Sequence, residues 1–211
     1  MLAIDHIVIA SKNPEKDAKD FEERYGVKCI PGGKHTNWGT FNYLAYFDNN
    51  CYIEWLGIFD EQLAEKSDNP LIQQLVSLFK AGRLGAYTFA LRTKNMEHEL
   101  KHFKQNSIAC KGPLPGARKK VDGSTLSWRM LFPEHTDLPF LIEWGEGINL
   151  PDDRSKINEQ QLASIQLPYD KELYTDTFAL SSEANKIPLE NGKLIFSTDS
   201  GIDFTICEID K

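Results

Sequence analysis

The sequence predicts an α+β fold: two fused βαβββ modules followed by a shorter third β-rich unit. Two observations carry that prediction. A strand–helix–three-strand pattern over residues 1–60 recurs over 84–147, and in both copies a Lys-Asn pair (Lys12-Asn13, Lys94-Asn95) stands where the first strand gives way to a helix. The composition of the 211 residues, 41 % apolar, 26 % charged and 11 % aromatic, is that of a globular chain long enough to bury a core. The implied organisation is a first module at 1–60, a helical linker at 61–83, a second module at 84–147, and a linker with a truncated third module at 148–211.

Each element has a local reason. Ile4-Asp5-His6-Ile7-Val8-Ile9-Ala10 alternates as a strand, and Asn13 then caps a helix whose first position is Pro14. Ala18, Phe21 and Tyr25 recur on one helical face, and Gly26 ends the run. Strands follow at about 28–31, 39–47 and 51–58, the last two joined by the turn-forming Asp48-Asn49-Asn50. Asn69-Pro70 opens a linker helix with Leu71, Leu75, Leu78 and Phe79 apolar, ending at Gly82. In the second copy Met96, Leu100 and Phe103 form the helical stripe, and Leu141-Ile142-Glu143-Trp144 echoes Tyr52-Ile53-Glu54-Trp55. The polar stretch 146–160 reads as a linker. Beyond it the sequence resembles a shorter third copy: a strand at 162–167, a helix at 170–180, a hairpin turning at Asn191-Gly192, and a last strand at 202–209.

Charge and cysteine content exclude several classes of function. With 24 basic and 31 acidic side chains the net charge is −7, which disfavours nucleic acid and anionic membranes as partners. No apolar run approaches the ~18–20 residues that span a bilayer. The apolar N-terminal stretch contains Asp5 and His6 and has no basic start, so a signal peptide is not expected. Four cysteines without a CxxC pair suggest neither a zinc knuckle nor a disulfide framework, and a reduced, cytoplasmic protein is expected.

Strand alternation selects the candidate site residues. If Glu54 faces inward, so do Tyr52 and Leu56, and His6 shares a face with Ile4 and Val8. Two curled sheets pairing over a cleft would gather His6, Asn42 and Glu54 from the first module and Thr88, Ser127, Arg129 and Glu143 from the second. Buried carboxylates need a cation, a donor or a proton. One His with two Glu suits a divalent metal ion such as Zn, Mn, Ni or Fe. Arg129 would clamp a substrate carboxylate or phosphate, or neutralise Glu143 in an internal salt bridge. His35, with Trp38 beside it, lies in a Gly-rich loop that either binds substrate or is a surface turn, and Asn42 and Ser127 line the site. His98-Glu99-Leu100-Lys101-His102 matches the metalloprotease signature H-E-x-x-H by chance, because the stripe Met96/Leu100/Phe103 turns both histidines to solvent.

Three segments carry a family likeness: residues 4–10, the loop and strand from Pro31-Gly32-Gly33-Lys34-His35 to Asn42, and Cys51-Tyr52-Ile53-Glu54-Trp55-Leu56-Gly57-Ile58. With them the chain resembles the vicinal oxygen chelate superfamily of glyoxalase I, extradiol dioxygenases and bleomycin-resistance proteins, and within it the glyoxalase-like domain group. The resemblance implies that His6, Glu54 and Glu143 stand at three of the superfamily's four metal-ligand positions. Thr88, a poor ligand, stands at the fourth, with His35 as a replacement nitrogen. It further implies a metal that polarises substrate oxygens while a glutamate, here Glu143, moves a proton. The expectation is therefore a glyoxalase-like enzyme of lyase, isomerase or hydrolase type acting on a small molecule, with module pairing within one chain or across a homodimer. The alternative is a metal-free binding or sequestration protein of the bleomycin-resistance type, with Trp38, Tyr52 and Trp128 as aromatic lining, although alternation turns Trp128 away from the cleft.

Overall fold

The computed structural model describes residues 1–119, 123–145, 147–198 and 201–208. Ile209, at the end of the last expected strand, and residue 146 of the expected linker lie outside the described residues. In chain order the elements are β1 (Ala3–Ala10), α1 (Pro14–Tyr25), β2 (Ile30–His35), β3 (Thr40–Phe47), β4 (Cys51–Ile58), α2 (Glu61–Glu65) and α3 (Pro70–Lys80). They continue with β5 (Gly85–Arg92), α4 (Met96–Gln105), β6 (Cys110–Lys119), β7 (Thr125–Pro133), β8 (Phe140–Trp144) and β9 (Ile157–Asn158). Last come β10 (Gln161–Leu167), α5 (Lys171–Phe178), β11 (Lys186–Leu189), β12 (Gly192–Phe196) and β13 (Asp203–Cys207). Among the described residues no helix is long and apolar enough to cross a membrane.

The chain divides into two compact units. The first contains His6–Tyr87 and Leu150–Gln161, and its strands run in the order β2-β3-β4-β1. β2, β3 and β4 are antiparallel neighbours, and β4 lies parallel to β1. α1 packs on the face bearing Ile7, Ile53 and Trp55, where the Phe21 and Trp55 rings meet edge to face at 5.0 Å. His6, Asn42, Leu44, Tyr52 and Glu54 occupy the opposite face, as a two-residue side-chain period requires.

The second unit holds Met1–Asp5, Thr88–Asn149 and Leu162–Cys207, with strand order β5-β8-β7-β6 and β5 parallel to β8. The repeat extends to its hydrogen bonds. Ser11 Oγ accepts the Asn13 N–H and donates to Asp17, and Thr93 Oγ1 accepts the Asn95 N–H and donates to Glu99. The Asn13 and Asn95 side chains each accept the amide three residues on, so both helices begin by the same device. α5 covers the face of β5 that carries Phe89, which lies parallel to Tyr174 at 6.4 Å, and Phe178 meets Phe103 of α4.

The C-terminal segment forms a four-stranded sheet in the order β11-β12-β10-β13. Its first strand pairs in parallel with its third, whereas in each module the first pairs in parallel with the fourth. It is therefore a β-rich unit but not a topological third copy. The hairpin turn also shifts: Leu189 pairs with Gly192, leaving Glu190 and Asn191 as the loop. Asn191 is held by Ile4, whose N–H it accepts at 2.8 Å and whose carbonyl it donates to at 2.9 Å. Gly192 serves close approach, since a Cβ there would stand 2.8 Å from Ile4 Cδ1. In the second unit's interior Asp5 accepts hydrogen bonds from Arg92 Nη1 (3.1 Å) at the end of β5 and Trp144 Nε1 (2.9 Å) at the end of β8.

Candidate functional site

The first unit brings three of the expected residues together. The Glu54 carboxylate, 6 % exposed, accepts Asn42 Nδ2–H at 2.5 Å on Oε1 and faces His6 Nε2 at 3.6 Å on Oε2. The second distance is too long for a direct hydrogen bond. The orientation of Asn42 is set by the backbone of β2. A bulge between Pro31 and Gly33 aims the Gly33 N–H at Asn42 Oδ1 (2.9 Å), which leaves the amide nitrogen to donate to Glu54. Gly32 makes this approach feasible, because a Cβ at that position would fall 2.1 Å from Asn42 Oδ1.

The His6 imidazole lies flat on Tyr52, with ring centroids 4.6 Å apart and planes 11° apart. Tyr52 leans on Tyr46, and both belong to an apolar cluster with Leu44, packed by Ile30, Leu150 and Ile157. Sequence reasoning missed Tyr87, whose ring hydroxyl is pushed well above its usual pKa by burial and then by the Glu54 carboxylate. Its hydroxyl also reaches the Leu71 carbonyl at 3.5 Å. Tyr87 adjoins the threonine that aligns with His6, and that adjacency was the available signal.

Glu143, expected to mirror Glu54, has a different setting. Its Oε1 accepts the Met96 N–H at 2.9 Å, the first amide of α4, and its Oε2 accepts both Nε (3.0 Å) and Nη2 (2.5 Å) of Arg129. Arg129 also reaches Glu97 at 2.8 Å, so the salt-bridge reading of Arg129 describes what is observed. Desolvation pushes the Glu143 carboxyl up, but the Met96 amide and the Arg129 guanidinium outweigh it and hold the group below its usual pKa. Strand register gives the reason for the difference. Val8 pairs with Glu54 in the first unit, and Ala90, its repeat equivalent, pairs with Phe140 in the second. Phe140 is therefore the counterpart of Glu54. Glu143 lies three residues further along and so points to the opposite, α4-bearing face. Arg129 pairs with Glu143 and shares that face, and Ser127, exposed, stands two residues from Arg129 on it. Trp128 and Trp144 face the other way, the side equivalent to His6 and Glu54, which corrects the expectation that Trp128 turns aside. Thr88 is buried on β5.

His35 Nδ1 lies 3.0 Å from Thr40 Oγ1, and its ring is 5.8 Å from Trp38 at the end of the β2–β3 hairpin. His98 is exposed, but His102 is not turned wholly to solvent: its Nε2 lies 3.0 Å from the Thr177 carbonyl, tying α4 to α5. Burial drives the Cys29 thiol up to about 12, with Glu22 adding to the effect, which suits a structural thiol rather than a nucleophile. Among the described residues no group of three or more His, Cys, Asp or Glu side chains is placed to hold a metal ion. His6 and Glu54 provide two such donors, and Glu143 is engaged by Met96 and Arg129. The expected set His6, Glu54 and Glu143 therefore does not fit a divalent metal as a ready cage.

A family model described as a glyoxalase-like domain matches residues 4–177. No curated protein sequence matches the chain. Among solved structures, a hypothetical protein from Staphylococcus aureus superposes with a TM-score of 0.75 at 18 % identity, covering 93 % of this chain and 87 % of that one. A hypothetical protein from Bacillus halodurans gives 0.52 at 14 % identity, over 72 % of this chain and 99 % of that one. A variant of Streptomyces coelicolor methylmalonyl-CoA epimerase, in complex with 2-nitronate-propionyl-CoA, gives 0.50 at 16 % identity, over 71 % and 98 %. At these identities the likeness is one of fold.

Proposed function

This chain belongs to the glyoxalase-like domain family of the vicinal oxygen chelate superfamily, and on that premise we propose that it is an enzyme of isomerase or lyase type acting on a small carbonyl compound. The observation that carries this reading is the buried His6–Asn42–Glu54 arrangement. Glu54 takes a proton from the carbon next to the carbonyl, and His6 Nε2–H donates to the oxygen on which charge develops. Asn42 holds Oε1, leaving Oε2 as the receiving atom. With an α-hydroxy carbonyl, delivery of that proton from Glu54 to the former carbonyl carbon, while the hydroxyl of the first carbon gives up its proton and becomes the new carbonyl, completes an isomerisation. Departure of a group with its electron pair from the carbon beyond, the proton on Glu54 passing to solvent, completes an elimination.

The base is assigned to Glu54 rather than Glu143, because both Glu143 oxygens already accept hydrogen bonds, from the Met96 amide and from Arg129, and these hold its carboxyl below the usual value. A divalent metal remains outside these steps. Elemental analysis of protein purified without chelator, alongside Glu54→Ala, checks this. Equal trace content in both supports the metal-free reading, and stoichiometric metal lost in the variant would replace it.

The reaction is tested by incubating the protein in D2O with a defined panel of carbon acids: 2-oxo acids, α-hydroxy ketones and acyl thioesters. The thioesters enter because a structural neighbour is an epimerase of such a compound. Deuterium uptake into one member, lost in Glu54→Gln, is the expected result. Binding of a panel member without exchange, undiminished in Glu54→Gln, would favour the sequestration reading, which the aromatic cluster of His6, Tyr52 and Tyr46 supports.

A further inference from the structure

We propose that Tyr52 is a positioning residue for the His6 imidazole, and that the segment Leu150–Gln161, locked by Asn158 and paired along β3, fixes Tyr52 in place. The inference rests on the proposed role of His6 and adds what orients it. An imidazole turns freely about its outer side-chain bond unless something restrains it, since that torsion is broad. A nearly parallel tyrosine ring at 4.6 Å supplies the restraint on one face and leaves Nε2 directed at Glu54.

Tyr52 is restrained in turn. Its ring meets Tyr46 at 5.3 Å, and Leu150 and Ile157 pack on the cluster these rings form with Leu44. Both packing residues come from a stretch about a hundred positions distant in sequence, the polar 146–160 region that reads as a plain linker. Ile157 and Asn158 form β9, a short parallel strand laid along Tyr46 and Phe47. Asn158, 5 % exposed, is its lock: it accepts the Lys28 N–H at 2.6 Å and donates to the carbonyls of Lys28 (3.0 Å) and Tyr46 (2.9 Å). One amide thus stitches the segment both to the chain leading into β2 and to the strand that carries Tyr46. Lys28 Nζ adds a bond to the Ser155 carbonyl at 2.7 Å. The line of contact runs from Asn158 through Tyr46 and Tyr52 to His6, all within the first unit.

The test reads the histidine itself. The full chain, labelled with 15N-histidine, contains five histidines, and His6 is identified by the signal absent in His6→Gln. The expected His6 ring-proton resonance is displaced upfield by the Tyr52 ring. Tyr52→Phe retains the displacement, Tyr52→Leu loses it, and Asn158→Ala moves the resonance in the same direction as Tyr52→Leu while the other four histidines stay in place. Should Tyr52→Leu fail to fold, Tyr52→Phe and Asn158→Ala still decide. A His6 signal unmoved in Asn158→Ala, despite a lowered melting temperature, shows a structural strap only and overturns the proposal; so does a Tyr52→Phe signal at the unstacked position. The readout needs no substrate, so a stacked His6 in a protein that exchanges no carbon acid would sink the proposed reaction and leave this inference standing.

Discussion

At one level of the first module stand His6, Asn42 and Glu54, joined across three strands. The matching level of the second module, located by the Ala90–Phe140 pairing, holds Thr88, Met130 and Phe140, and the Phe140 ring lies on Phe132 at 5.1 Å. The two copies keep the same backbone plan, including the hydroxyl-and-asparagine start of each helix. They differ in whether that face carries polar groups that satisfy one another or apolar groups that pack. A duplicated scaffold can retain its hydrogen-bonded frame while one copy gives up a charged face, because the frame is fixed by backbone and caps rather than by the side chains that line it.

Exchanging the two environments should have the largest effect. Phe140→Glu would place a carboxylate on Phe132 without the amide and imidazole that Glu54 enjoys, and should cost about 3–5 kcal/mol in urea denaturation, the range for an uncompensated buried charge. A cost below about 1 kcal/mol would mean that this position tolerates a carboxylate as the first module does. Gly32→Ala comes next. The new Cβ would displace the Asn42 amide, and a loss of about 1–3 kcal/mol is expected, with a fall in any activity that depends on Glu54 orientation. Unchanged stability and activity would show that β2 does not set Asn42.

The two glutamates should also separate by pH. Glu143 has its carboxyl pKa lowered in the folded state. The stability it contributes is therefore present above the usual glutamate value, about 4.3, and is lost as pH falls through the folded value. Glu143→Gln should flatten the acid limb of the stability curve below about pH 4.3, and an acid limb identical to wild type would refute the role given to Arg129 and Met96. The smallest effect is expected at the second module's cap region, where Lys94 pairs with Glu190 at 2.7 Å on the exposed surface. Lys94→Ala should change stability by no more than about 1 kcal/mol, as surface ion pairs do, and a larger loss would give that pair a structural weight its exposure does not suggest.

Much of the fold was legible because it is written in local chemistry. Asn13-Pro14 and Asn95 mark helix starts, and alternation places Glu54 with Tyr52. The shared face of His6, Asn42 and Glu54 followed too, because β1, β3 and β4 adopt the expected strands. Glu143 was misplaced because a shared Ile-Glu-Trp word is a weak guide to register, and an odd offset reverses every side chain. The 146–160 stretch read as a linker because two residues of parallel pairing and one asparagine lock leave no periodic signal. The third segment's strand order eluded the sequence for a related reason, since hydrophobic alternation marks strands without saying which ones pair.

The proposed reaction requires the first module's glutamate, and not the second's, to move the proton. Deuterium exchange into the responsive carbon acid, measured side by side for wild type, Glu54→Gln and Glu143→Gln, tests it most directly. The prediction is a loss on the order of 10²–10⁴-fold in Glu54→Gln, the usual worth of a general base, with Glu143→Gln exchanging at close to the wild-type rate. Exchange that persists in Glu54→Gln and vanishes in Glu143→Gln would contradict it.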